Sequence, residues 1–179
     1  MRRKVTCTTT TAAGQTAALL LARLDLTDLV LLGSPDGLAA DLVGAAGPLR
    51  YEPRVLAGGW ADAAGSDLVV LDAVADDTAA EVAARCPGAV VIVATARPVQ
   101  DTERLLDGTR LPRARLFGAA GPHAGPVTAA ARALEVADAV LRDRRATLRC
   151  AVLCLPDEGE QGVQERDVVV GAGGVQAIL

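Results

Sequence analysis

The chain has 179 residues, of which 51% are hydrophobic, so it is long and apolar enough to build one ordered core. A net charge of -4 and an aromatic content of 2% argue against a nucleic-acid surface, which needs cations and stacking partners. No apolar run approaches the ~20 residues of a membrane span. The basic start, Met1–Lys4, leads into a threonine run rather than the apolar core of a secretory signal. We therefore expect a cytoplasmic protein without nucleic-acid or membrane partners.

The predicted elements alternate between short apolar strands and helices. Two of the strands are continuous apolar runs, which is typical of strands covered on both faces. This order predicts an α/β fold with a Rossmann-like parallel sheet and helices on both faces. The predicted strands are Lys4–Thr8, Asp28–Leu32, Asp67–Leu71, Ala89–Ala94 and Arg115–Phe117, with Arg54–Leu56 as a short candidate, and the predicted helices are Gly14–Leu24, Leu38–Ala46, Asp77–Arg85 and Val99–Leu106.

The pattern changes in the last third of the chain. One long helix is predicted over Val127–Arg144, because its apolar residues recur close to one face. Two strand candidates, Thr147–Leu155 and Asp167–Val170, then flank an acidic turn and predict a β-hairpin. No Ser/Pro-rich linker precedes this part, so we expect it to pack on the same body as the sheet.

The cysteine spacing predicts neither a metal site nor a disulfide framework. No pair has the C-x-x-C spacing of a metal ligand set. Buried, reduced thiols in a cytoplasmic protein are therefore expected at all four positions. These positions are Cys7, Cys86, Cys150 and Cys154.

The turn after the first strand departs from a dinucleotide-binding turn. Such a turn reads G-x-G-x-x-G, because glycine permits the tight turn and the close approach of the pyrophosphate. Here the frame reads Thr9-x-Thr11-x-x-Gly14, which keeps only the third glycine. Since β-branched side chains restrict the backbone and block close approach, we expect no bound dinucleotide.

Four further segments carry motifs in chain order. Ala61–Val70 read ADAAGSDLVV, Leu116–Gly121 read LFGAAG, Val140–Arg145 read VLRDRR and Gly171–Val175 read GAGGV. They resemble Y-A-D-T-A-G-S-D-V-V-V, V-I-G-x-A-G, L-x-D-K-K and G-A-N/G-G-V of the lactate/malate dehydrogenase family, most closely its malate dehydrogenase branch. The resemblance implies a degenerate NAD(P)-binding domain over residues 1–121. It also implies a reduced helix-and-hairpin remnant of the family's C-terminal domain over residues 122–179.

The chain departs from that family at each functional element. Gly33 stands where an acidic residue would hold the adenosine ribose, and Asp72–Asp77 replaces the mobile loop with its substrate-binding and catalytic arginines. Arg97 stands in place of the asparagine of T-N-P, and the H-G-D segment with the catalytic histidine is missing. Hydride transfer needs a nicotinamide, a general acid/base and a carboxylate clamp. We therefore predict a truncated, degenerate member without cofactor and without dehydrogenase activity.

Candidate site residues lie where the predicted strands end, since ligands bind at the carboxyl ends of parallel strands. An acid, a base and a cation meet there, and non-redox acid/base chemistry needs such groups. We predict catalytic roles for Asp72, Arg97 and His123, and ligand-binding roles for Thr9, Thr10, Thr11, Ser34 and Thr95.

Each of these residues also has a structural interpretation. His123 is then a loop residue, Arg97 a solvated cation, and Asp72 a cap of the following helix. The threonines of the first turn would pair with the backbone and fill the space that the absent cofactor leaves. Glu158, with other acidic residues near the hairpin, would belong to a solvated edge.

These observations favour a repurposed, cofactor-independent enzyme. Loss of the family's lid and catalytic segment would leave a cleft walled mainly by Ala, Val and Leu, which suits a hydrophobic small molecule. A non-redox cyclase or isomerase in specialised metabolism is the leading hypothesis, and composition is typical of a GC-rich genome such as that of an actinobacterium. The alternatives are a ligand-binding module and a non-catalytic pseudoenzyme that forms a homodimer through Leu38–Ala46.

Overall fold

The computed structural model describes residues 2–24, 26–52, 54–120, 125–158 and 160–179. Over these ranges the strands are β1 Arg3–Thr8, β2 Thr27–Leu32, β3 Val55–Gly58, β4 Leu68–Leu71, β5 Val90–Val93, β6 Leu116–Ala119, β7 Ala146–Cys154, β8 Gly162–Gly171 and β9 Gly174–Ile178. They form one sheet in the order β3-β2-β1-β4-β5-β6-β7-β8-β9. Strands β1 to β6 pair in parallel, whereas β7, β8 and β9 are antiparallel.

Helices cover both faces of the parallel part, as predicted. The helices are α1 Ala12–Arg23, α2 Leu38–Gly44, α3 Ala46–Leu49, α4 Trp60–Ala63, α5 Thr78–Arg85, α6 Pro98–Gly108 and α7 Pro126–Arg142. Side chains of β2, β4 and β5 alternate between two apolar clusters, one under α1, α2 and α7 and the other under α4, α5 and α6. Every residue of β4 and β5 is buried, which explains their uninterrupted apolar sequence.

The C-terminal part extends the same sheet. Strand β7 pairs with β6 only at Gly118 and Ala119, and its whole length pairs with residues 162–170 of β8. A side chain at Gly118 would come within 3.0 Å of Pro98, Thr102 and Ala151, so glycine allows α6 and β7 to approach β6 closely. The division into two domains at residue 121 stays a prediction.

Three elements were not predicted from the sequence, namely α3, α4 and β9. The two helices have four residues each, too few to show helical periodicity. Strand β9 begins at Gly174, whose φ of +95° makes the tight turn from β8. Strand β8 also begins five residues before the predicted Asp167, because charged residues on its first half hide the strand pattern.

Candidate functional site

The turn between β1 and α1 is held from within by its own threonines. Thr9 is fully buried, and both its backbone N–H and its hydroxyl donate to the carbonyl of Leu32, at 2.9 and 3.2 Å. Thr11 is the N-cap of α1, and its hydroxyl oxygen accepts a hydrogen bond from the backbone of Gly14 at 3.2 Å. These bonds fix the turn to the end of β2 and to the first turn of α1.

Asp72 follows β4 and places its carboxylate on this turn. Its Oδ1 accepts a hydrogen bond from the Thr10 hydroxyl at 3.0 Å. Its Oδ2 accepts two more, from the backbone N–H of Thr11 at 2.6 Å and from the Thr11 hydroxyl at 2.8 Å. The Asp72 backbone N–H in turn donates to the Thr8 hydroxyl at 2.7 Å. Only 5% of Asp72 is exposed, so the threonines hold a buried carboxylate against the start of α1.

The charge of Asp72 is stabilised without a cation. Among the described residues no arginine, lysine or histidine forms an ion pair with it. The donors are two hydroxyls, one peptide N–H and the positive end of the α1 dipole, which are the groups that bind anions at helix N-termini. Burial raises the pKa of the neighbouring Cys7 thiol, and the charge of Asp72 raises it further.

Gly14 permits this close approach. A Cβ at position 14 would overlap the carboxylate of Asp72 and would lie 2.6 Å from the carbonyl oxygen of Thr8. The third glycine of the frame therefore serves the packing of Asp72 against α1. The interpretation of Asp72 as a cap of the following helix was wrong, because its carboxylate binds the turn before α1 instead.

The turn after β2 contains Gly33 and Ser34. Gly33 has a φ of +63°, and a side chain there would come within 2.8 Å of the Thr10 methyl group. The Ser34 hydroxyl donates to the carbonyl of Pro35 at 3.2 Å within the same turn. No acidic side chain stands at position 33 to bind a ribose, and Thr10 fills the adjacent space.

The third turn follows β5. The Thr95 hydroxyl donates to the carboxylate of Asp101 at 2.6 Å, and the backbone N–H of Arg97 donates to the Thr95 hydroxyl at 3.2 Å. Thr95 and Asp101 are buried, whereas the side chain of Arg97 is exposed. His123, the remaining predicted catalytic residue, lies outside the described residues.

A cleft of about 420 Å³ opens at this edge of the sheet, between the N-termini of α1 and α7 and the end of β5. It brings together three of the predicted site residues, Thr11, Asp72 and Thr95, whereas Thr9, Thr10, Ser34 and Arg97 do not line it. Asp72 is the single charged residue among the described residues of its lining. The other lining residues are Ala12, Ala13, Ala94, Ala96, Gly125, Pro126 and Ala129.

The alanine walls were not predicted individually as site residues. Alanine carries no reactive group, so its positions in a sequence do not distinguish a cleft wall from a helix interface. The signal that could have found them is positional, because Ala12, Ala13, Ala94 and Ala96 lie within five residues of the ends of β1 and β5, which are at the same edge.

Solved structures of dehydrogenases have the same architecture. The lactate dehydrogenase of Cryptosporidium parvum, in complex with lactic acid and nicotinamide adenine dinucleotide, matches with a TM-score of 0.91 at 18% identity, covering 100% of this chain and 90% of that chain. The chain therefore has a lactate/malate dehydrogenase-like fold. The malate dehydrogenases of Cryptosporidium parvum and Aeropyrum pernix match with TM-scores of 0.90 and 0.88, at 16% and 18% identity, and the matches cover 100% and 98% of this chain and 91% and 89% of theirs.

The likeness to dehydrogenases is limited to the fold. No protein-family model matches the chain, and no curated protein matches it significantly in sequence. Within the described ranges, no group of three or more histidine, cysteine or acidic side chains could hold a metal ion. In the same part of the chain, no helix combines the length and the apolar character that crossing a membrane requires. All four cysteines are buried, as predicted, and the structure has no disulfide between them.

The residues at the dehydrogenase-like turn do not fit a dinucleotide. A carboxylate already binds the donors at the start of α1, and a diphosphate placed on them would meet a buried negative charge. Gly33 supplies no carboxylate for a ribose. The two threonine side chains at positions 10 and 11 also occupy the space above the turn. The turn therefore does not fit a nicotinamide cofactor.

Proposed function

We propose that the protein takes a hydrophobic small molecule into the cleft between α1 and α7 and acts on it without a redox cofactor. One observation carries the proposal, namely the position of the Asp72 carboxylate on the anion-binding donors of α1, next to a cleft walled by alanine. The first half of that observation argues against a dinucleotide. The second half provides space of a different character at the same edge of the sheet.

The walls of the cleft favour an apolar ligand. Five of the lining residues are alanines, and alanine leaves space that larger side chains would fill. Small-molecule sites are mostly apolar and contain a few polar groups that orient the ligand. Thr11, Asp72 and Thr95 are the polar residues of this lining, and each already has a hydrogen-bond partner within the protein. Shape and apolar contact therefore supply most of the affinity.

The same geometry favours reactions that depend on the shape of the substrate. The Asp72 carboxylate already accepts three hydrogen bonds within the protein, which leaves fewer of its lone pairs for a ligand. The exposed side chain of Arg97 does not line the cleft. A wall that holds a flexible apolar chain in one conformer lowers the barrier to its cyclisation or isomerisation. A non-redox cyclase or isomerase is thus the enzyme class that we propose.

Binding of an uncharged fluorophore tests the cleft directly. N-phenyl-1-naphthylamine, whose emission rises in apolar surroundings, should bind the native protein with a one-to-one stoichiometry. Ala129→Phe places a ring in the lining and should weaken this binding about tenfold or more. Ala131→Phe, at an exposed position of the same helix outside the lining, is the matched control and should leave it unchanged. Equal binding by all three proteins, or none by the native protein, would overturn the proposal.

The homodimer hypothesis stays a prediction. The predicted surface, Leu38–Ala46, carries Val43, which is 49% exposed, and Leu49 on the adjacent α3 is 39% exposed. Two partly exposed apolar side chains are ordinary for a monomer. They do not favour the pseudoenzyme hypothesis over binding in the cleft.

A further inference from the structure

We propose that Asp72 is an internal substitute for a ligand phosphate and thereby determines the charge of the molecule that the cleft accepts. This specificity role deepens the proposed function and rests on it only for the use of the cleft. It makes two separate statements. The donors at the start of α1 are an anion site that the protein fills with its own carboxylate, and that carboxylate repels anionic ligands from the adjoining cleft.

The hydrogen bonds carry the first statement. Three donors from two consecutive residues, Thr10 and Thr11, converge on one carboxylate at 2.6 to 3.0 Å. A phosphate at a helix N-terminus takes donors of the same kind. Buried carboxylates are ordinarily neutralised by a cation, yet Asp72 has no ion-pair partner among the described residues. The donors thus form an anion site, and the anion that occupies it is the carboxylate of Asp72, the residue after β4.

The charges around the cleft carry the second statement. Asp72 is its only charged lining residue in the part of the chain that the structure describes, and the side chain of Arg97 lies outside the lining. An anionic ligand would therefore meet uncompensated negative charge at short range. A neutral ligand would not, and it could donate a hydrogen bond to Oδ1, which accepts only one within the protein. The ligand class is a neutral apolar molecule, with a hydroxyl or amide as its polar group.

Chemical rescue tests whether the donors form an anion site. Asp72→Ser removes the carboxylate, leaves the three donors unpaired and opens space for a phosphate. Its unfolding midpoint should rise by about 3 °C or more in sodium phosphate compared with sodium chloride of the same ionic strength. Phosphate also stabilises proteins by exclusion from their surface. The native protein and Asp77→Ser, which removes an exposed carboxylate five residues away, correct for that effect.

A pair of fluorophores tests the effect of charge on the ligand. The compound 8-anilino-1-naphthalenesulfonate has the skeleton of N-phenyl-1-naphthylamine plus one sulfonate. The native protein should bind the sulfonate about tenfold more weakly than the neutral compound, and Asp72→Asn should remove most of that difference. This variant keeps the shape of the side chain, so it serves if Asp72→Ser does not fold. Asp77→Asn should behave as the native protein does.

The outcomes separate this inference from the proposed function. Equal binding of both fluorophores by the native protein, or an unchanged ratio in Asp72→Asn, would overturn the role in ligand charge. A phosphate response of Asp72→Ser no larger than that of the two controls would overturn the internal anion site. If neither fluorophore binds any of the proteins, the proposed function fails and the selective role of Asp72 fails with it, while the phosphate response still decides whether the donors form an anion site.

Discussion

The carboxylates of Glu158 and Asp72 each accept three hydrogen bonds, but of these two only Glu158 has a cation as its partner. Near the hairpin, the Glu158 carboxylate accepts hydrogen bonds from both terminal nitrogens of the Arg113 guanidinium, one of them at 2.8 Å. It accepts a third from the backbone N–H of Leu155 at 2.8 Å. Arg113 also donates to the carbonyl of Leu153 at 3.1 Å. At the edge of the sheet where β4 ends, the Asp72 carboxylate accepts hydrogen bonds from two hydroxyls and one peptide N–H.

The difference shows how to separate a structural carboxylate from one that determines binding. The Arg113–Glu158 pair is neutral as a whole and partly exposed, and it joins the 3-10 turn Pro156–Glu158, which follows β7, to the 3-10 turn Arg113–Arg115. It resembles many surface ion pairs, which stabilise proteins only modestly. The Asp72 site keeps a net negative charge beside a cleft. We therefore expect its donors to select an anion and its charge to affect which ligands enter the cleft.

The largest effect is expected from Gly14→Ala. Alanine stabilises most helices relative to glycine, but here its Cβ would overlap the Asp72 carboxylate and approach the Thr8 carbonyl. We expect the free energy of unfolding to fall by about 3 kcal/mol, measured by urea denaturation. Gly44→Ala, at a helical position with no heavy atom within 4 Å of the new Cβ, should not destabilise. Equal stability of the two variants would mean that Asp72 does not pack against α1.

Removing one hydroxyl should have a smaller effect. Thr11→Val keeps the size of the side chain but removes both the cap of α1 and one hydrogen bond to Asp72. We expect a loss of about 1.5 kcal/mol in the free energy of unfolding. Thr16→Val removes an exposed hydroxyl within the same helix, one that donates to the Ala12 carbonyl at 2.8 Å, and should cost less than a third as much. A similar loss in both variants would contradict a special role for Thr11.

The smallest effect is expected at the hairpin, where it depends on pH. Hydrogen bonds from Arg113 lower the pKa of Glu158 from its ordinary value of 4.5 to about 2. Because the folded pKa is the lower one, the ionised pair stabilises the protein above pH 4.5, and this contribution is lost as the pH falls toward 2. Glu158→Gln should therefore lower the unfolding midpoint slightly at pH 7 and not at pH 2. A constant difference over this pH range would exclude the ion pair as its cause.

The sequence was sufficient to predict the fold, because the residues of its strands indicate which faces of the sheet are buried. The short apolar runs of β4 and β5 are typical of strands covered on both faces, and the motifs between Ala61 and Val175 resemble those of dehydrogenases in the right order. The solved structures confirm that fold. Strand β8 was predicted at only part of its length, since its first half carries the polar residues Gln164, Glu165 and Arg166 at consecutive positions.

The site was predicted in position but not in its internal bonds. Asp72 and the threonines were placed at the same edge, because the strands that precede them end there. Their direct contact joins residues 61 and 62 positions apart, and local sequence patterns cannot show it. The predicted separate roles, a catalytic acid and ligand-binding hydroxyls, therefore missed that these groups bind one another. The exposed position of Arg97 depends on the turn before α6, which periodicity does not describe.

Because Asp72 belongs to the same polypeptide, the stability of the fold should not depend on the concentration of a metabolite at the α1 N-terminus. A protein that binds a free dinucleotide gains stability as the concentration of that ligand rises. Here the occupant of the α1 N-terminus is tethered, so its local concentration is fixed by the chain and does not vary with the state of the cell. The contribution that the occupant of this site makes to the free energy of unfolding is thus constant and encoded in the sequence. Thermal unfolding of this protein should be independent of the cellular supply of nicotinamide cofactors.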